Sequence, residues 1–163
     1  MKTAAALGLA VGLSAGIAAA ELTDEHIVIG PEQVWIEHID PIDIMWVGPN
    51  AYDRTQVLSG DNVEIVGFAT DPDDAAILGA RAFVAVTTGT HSCENLEDPL
   101  AYYVISLTPA LATEGPFTTC GQVAMSVTNG AILLEEDSMR MSTEDGGQFI
   151  FWVPGRGFSD RLE

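Results

Sequence analysis

Histidine and cysteine stand two residues apart in Gly89-Thr90-His91-Ser92-Cys93, and the acids Glu94, Glu97 and Asp98 follow at once. An imidazole beside a thiolate is the pairing used by soft metal sites and activated nucleophiles. The cysteines also have a plainer use. Cys93 and Cys120 are an even pair in a chain that reads as exported, and oxidising compartments join such pairs as disulfides. A Cys93–Cys120 bridge closes a loop of about 28 residues, which restricts the unfolded chain by roughly 3.5 kcal/mol. It also consumes the thiolate, so the bridge and a His91–Cys93 metal site exclude one another. The bridge is the expectation, because thiol-exchange catalysts keep their cysteines in a short C-x-x-C and this chain has none.

The remaining metal candidates are set by ligand chemistry. Copper sites in β-sandwiches gather Cys, His and Met in one short loop, yet no His or Met occurs within the thirty residues after Cys93. Met139 and Met141 alternate along a strand-like run and read as packing residues; Met45 and Met125, His26 and His38 are scattered. For calcium, Asp71 and Asp73 occupy the first and third positions of an EF-hand-like run, but Ala75 and Ala76 stand where an oxygen donor and a glycine are required. His91, Asp71 and Asp73 are therefore the metal candidates, and no cofactor is expected.

Catalytic signatures are few. Gly12-Leu13-Ser14-Ala15-Gly16 spells a nucleophile elbow but lies inside an apolar leader. The chain contains no H-E-x-x-H and no P-loop. Three histidines at 26, 38 and 91 do not single out a base for a Ser or Thr nucleophile. His38, in the alternating Trp35-Ile36-Glu37-His38-Ile39, reads as pointing to solvent or satisfied by a neighbour. Trp35, Trp46 and Trp152 are the ligand-binding candidates, since aromatic faces stack on sugars and peptides, with core packing as the alternative use.

The elements that must position these groups read mostly as strands. Residues 26–30, 33–39 and 43–48 are short, β-branched or aromatic, and separated by Gly-Pro and Asp-Pro punctuation that forbids a continuous helix. Residues 62–70 alternate apolar and polar as a half-buried strand does, while 80–88 and 101–107 are continuously apolar, as inner strands and the core should be. Hairpins are expected about Asn129-Gly130, joining 123–128 to 131–136, and about Asp145-Gly146-Gly147, with Pro154 closing the second. One short helix is predicted within 70–80, with Thr70 or Asp71 as N-cap, Pro72 at its first position and Gly79 as its stop. The pattern predicts an antiparallel β-sandwich or open barrel with at most one short helix; an α+β domain is the alternative.

Residues 1–20 have a lysine head, an Ala-rich apolar stretch and an A-x-A end, the pattern of a cleaved secretory signal peptide. The remaining 143 residues suffice for one domain. They keep five arginines against 24 acids, a formal −19 where the whole chain has −18. That charge repels nucleic acid and anionic lipid and admits cations or basic proteins as partners. The expectation is a non-catalytic periplasmic or secreted bacterial module that binds a small molecule, a cation or a basic protein, without stable membrane insertion after cleavage. The alternatives are a small exported hydrolase with a carboxylate/His site and a Ca- or Cu-binding β protein.

Overall fold

A computed structural model describes residues 25–88, 100–118, 125–126, 133–135, 137–143 and 149–159. Their first seven strands are β1 (Glu25–Ile29), β2 (Glu32–Ile39), β3 (Ile42–Asn50), β4 (Asp53–Ala69), β5 (Arg81–Thr88), β6 (Ala101–Thr108) and β7 (Ala112–Thr118). They form one antiparallel sheet in chain order. The helix α1 (Pro72–Leu78) connects β4 to β5. A second sheet holds β10 (Ser138–Thr143), β11 (Phe149–Val153) and β12 (Gly157–Ser159), with β8 (Met125–Ser126) and β9 (Leu133–Glu135) on the other side of β10. The protein is thus mainly β, as the alternation predicts, and the one helix among the described residues, seven residues long, is no layer of an α+β domain.

The helix follows the local rules closely. Asp71 is the N-cap, its side chain accepting from Asp73 N–H, Pro72 opens the first turn, and Gly79 ends the helix at φ 72°. Only glycine enters that left-handed region without a Cβ penalty.

Strand β4 organises the large sheet. Its first part pairs with β3 and its second with β5, with register shifts between Asp61 and Glu64 and between Ile65 and Gly67. Such bulges bend a strand, and Asn62 sits at the first one with φ 47°, a conformation asparagine tolerates well. The bent sheet covers one face of β5 and β6, and α1 with the second sheet covers the other. On one face Phe83, Ala85, Ile105 and Leu107 meet Ile29, Val34, Ile36, Met45, Val47, Leu58 and Val63 of the first four strands. On the other, Ala82, Val84, Val86, Tyr102 and Val104 meet Leu78 of α1 and Met139, Met141, Ile150 and Trp152 of the second sheet. Burial on both faces is why these two strands read as continuously apolar. The core is broader than that reading alone implies, since β1 to β4 supply a full wall of it.

Three features depart from the sequence reading. Residues 53–61, polar and turn-like, extend β4 instead of preceding it. Residues 112–118 form β7 despite Gly115-Pro116, which is tolerated because β7 is the edge of the sheet and a missing N–H there need cost no ladder bond. The turn of the hairpin expected about Asn129-Gly130 lies outside the described residues, and of its expected flanks β8 and β9 both run antiparallel to β10, on Ser142–Thr143 and Ser138–Arg140 respectively. They therefore run in the same direction and do not face each other. The tight turn lies instead between β9 and β10, where Asp137 has φ 70°. The β10–β11 hairpin forms as expected, with Met139 opposite Trp152 and Met141 opposite Ile150. Asn129, Gly130 and the turn residues 145–147 lie outside the described residues, as do the leader, His91, Cys93 and Cys120.

Candidate functional site

The β2–β3 hairpin builds an open polar site. A two-residue turn at Asp40-Pro41 pairs Ile39 with Ile42 and His38 with Asp43. Alternation puts His38 on the same face as Val34 and Ile36, two and four residues back, which are core. The pair therefore continues the core-facing row to the end of the sheet, where apolar residues give way to water. His38 Nδ1 donates to Asp43 Oδ1 at 2.7 Å. Asp43 Oδ2 accepts from the backbone N–H of Val63 at 2.9 Å. That N–H falls within the β4 bulge between the Asp61–Thr88 and Glu64–Val86 pairs, so the carboxylate takes the place of a missing ladder acceptor. The same contacts fix the imidazole, whose Nε2 is the ring nitrogen left uncommitted to Asp43.

Around this pair opens a cleft of about 490 Å³ lined by His38, Asp40, Pro41, Asp43, Asp61 and Asn62. Asn62 Nδ2 donates to Thr88 Oγ1 at 2.9 Å, which holds the far wall to the end of β5. Among the described residues three carboxylates line the space and neither Arg nor Lys does, so it attracts cations. Its volume falls in the range of small-molecule sites, which favour the mouths of β-structures. An Asp-held histidine can act as a base, but among the described residues no Ser, Thr, Cys or Lys lines the cleft to serve as nucleophile.

The tryptophan candidates divide between two places. Trp35 and Trp46 are cross-strand partners on the outer face of β2 and β3. The Arg54 guanidinium carbon lies 4.5 Å from the Trp46 ring centre and 5.9 Å from that of Trp35. His26 stacks on Trp35 at 5.3 Å with the rings 6° apart. Glu37 completes the cluster, accepting from Trp46 Nε1 at 2.8 Å and from Arg54 Nη2 at 2.9 Å. Arg54 and His26 occupy the ring faces a ligand would use, leaving Trp35 4% exposed. Trp152 belongs to the inter-sheet core and donates its Nε1–H to Glu114 Oε2.

Asp71 and Asp73 cap and begin α1, and both are exposed. Among the described residues no group of three or more His, Cys, Asp or Glu is placed to hold a metal ion. Met139 and Met141 are fully buried packing residues. Sequence reasoning correctly expected a satisfied or solvent-facing His38 but did not single out the His38–Asp43 pair. The available signal was the two-residue Asp-Pro turn, which sets positions 38 and 43 opposite each other once both flanks are strands. Glu114 was missed because β7 was not recognised.

Comparisons of the chain with protein-family models, with curated proteins and with solved structures find no match.

Proposed function

We propose that this chain is an exported, non-catalytic binding module that uses the His38–Asp43 cleft to hold a cationic group, an ammonium or guanidinium, of a small molecule or basic protein. The observation that carries the reading is the cleft itself: about 490 Å³, lined by Asp40, Asp43 and Asp61 and, among the described residues, by no Arg or Lys. The net charge of −18 acts in the same direction by steering cations toward the surface. Export to a bacterial periplasm or beyond rests on residues 1–20, and with it comes the Cys93–Cys120 disulfide. Pairings of Thr87 with Ala101 and of Ala101 with Thr118 support the bridge. They bring the ends of β5 and β7, which precede the two cysteines, to the same end of the sheet, about two strand spacings apart, roughly 10 Å.

The test is calorimetric titration with hexa-arginine. Asp40 and Asp61 are exposed, so the D40N/D61N double variant should fold normally while binding roughly tenfold more weakly, at about 0.5–1 kcal/mol per exposed charge pair. Wild-type affinity should fall with added salt. Unchanged affinity in the double variant would refute the assignment.

One observation favours a second reading, a small exported hydrolase: the imidazole of His38 is held by a carboxylate as a general base would be. With no side-chain nucleophile among the described residues of the cleft, that base would activate water. Hydrolysis of an ester or glycoside panel that disappears in H38Q would establish it over simple binding.

A further inference from the structure

A second pocket lies where the two sheets meet, between the β6–β7 turn and the end of β11. Its volume is about 180 Å³, and its walls include Ala80, Pro109, Ala110, Ala112 and Pro154. Most polar groups on its surface are already committed. Ser106 Oγ lies within donating distance of Ala110 O at 3.2 Å and Ala112 O at 3.4 Å, and Thr108 Oγ1 accepts from Arg81 N–H at 2.9 Å. Glu114 is different. Its carboxylate accepts from Trp152 Nε1 and, among the described residues, has no ion pair. A carboxylate has about four lone-pair sites, so most of its acceptor capacity is not taken up by the described residues. The group is half-buried, in a setting where lost hydration is costly unless a counter-charge replaces it.

We infer that this pocket is a binding site for a small n-alkylammonium ion, its ammonium on Glu114 and its chain against the alanine and proline walls. Charge excludes anions. Sugars and polyols would bury hydroxyls against walls that offer them little to bond. Size sets the upper limit, since 180 Å³ corresponds to about six waters at ~30 Å³ each, well below the ~300–1,000 Å³ of drug-sized sites. A primary amine on a chain of about four carbons fits both the volume and the division between one charged end and apolar walls. The site is independent of the His38–Asp43 cleft, with which it shares no residue.

Trp152 supplies the reporter, because its indole N–H is bonded to Glu114 itself. In the ¹⁵N-labelled protein, n-butylammonium chloride should shift the Trp152 indole cross-peak saturably, against a sodium chloride control at equal ionic strength. The Trp46 indole, bonded to Glu37, should not follow that curve. E114Q should weaken the response at least tenfold, and n-butanol should bind at least tenfold more weakly than n-butylammonium. A110L, which fills the pocket and keeps the carboxylate, gives a second measure should E114Q fold poorly, and it too should abolish saturation. A wild-type response that does not saturate, equal affinity for n-butanol, or undiminished binding in a folded E114Q or A110L overturns the assignment.

Discussion

Replacing Asp43 with alanine isolates the structural role of this carboxylate from the recognition role proposed for the cleft. The side chain makes two contacts of unequal weight. Its Oδ2 takes the N–H of Val63, a residue only 2% exposed and displaced by the bulge from the β4–β5 ladder. Losing an ionised acceptor and leaving a buried N–H unpaired should cost about 2–3 kcal/mol. The contact with His38 is weaker, because the histidine side chain is 46% exposed and solvent-screened pairs contribute at most ~1 kcal/mol. D43A should therefore lower the urea midpoint with little change in the slope, and lower Tm by on the order of 10 °C for a domain of this size. D43N keeps an acceptor oxygen for Val63 and should lose less than half as much. H38A should lose at most ~1 kcal/mol. If H38A equals D43A, or D43N is as damaging as D43A, the Val63 contact is not what stabilises this end of the sheet and the reasoning fails.

Gly30 has φ 64°, and a Cβ there would stand 2.8 Å from Arg81 Nη2, which donates to Ile29 O at 2.7 Å. G30A should cost about 1–2 kcal/mol from backbone strain alone and more with Arg81 present, so a double-mutant cycle with R81A should show coupling by denaturant unfolding. Phe83 is fully buried between the layers, and F83A should destabilise by about 3–5 kcal/mol in the same assay; a loss under 1 kcal/mol would contradict the described core. R54A uncovers both Trp35 and Trp46 and leaves Glu37 without its cation. A loss of about 1–2 kcal/mol and a red-shifted tryptophan emission are expected, and an unchanged spectrum would argue against the stacking. Intact mass after alkylation should show no label on the unreduced protein and two labels once it is reduced; two labels without reductant would exclude the Cys93–Cys120 bridge.

Much of the architecture was legible in residue order because its causes are local. Gly30-Pro31 and Asp40-Pro41 marked the ends of β1 and β2, whereas Gly48-Pro49 falls inside β3; Asp71, Pro72 and Gly79 marked the helix by capping and φ preference. The continuous apolar runs of β5 and β6 identified strands covered on both faces. Long-range pairing could not be read this way. Residues 53–61 are a strand because β3 supplies their hydrogen-bond partners, and 112–118 because β6 does. Asn129-Gly130 suited a hairpin locally, yet the competing pairing with β10 placed β8 and β9 in one direction.

The same division holds for the candidate sites. Residue types alone determined an acidic surface, the cysteine pair and the shortage of catalytic motifs, since those follow from composition and spacing. Tertiary structure decided which groups meet. It gave His38 to Asp43 across a turn, covered Trp35 and Trp46 with Arg54 and His26, and set Glu114 beside Trp152 from 38 residues away. Side-chain encounters of that kind depend on register and on how layers stack. Both are set by burial of the whole apolar surface and not by any short stretch of chain.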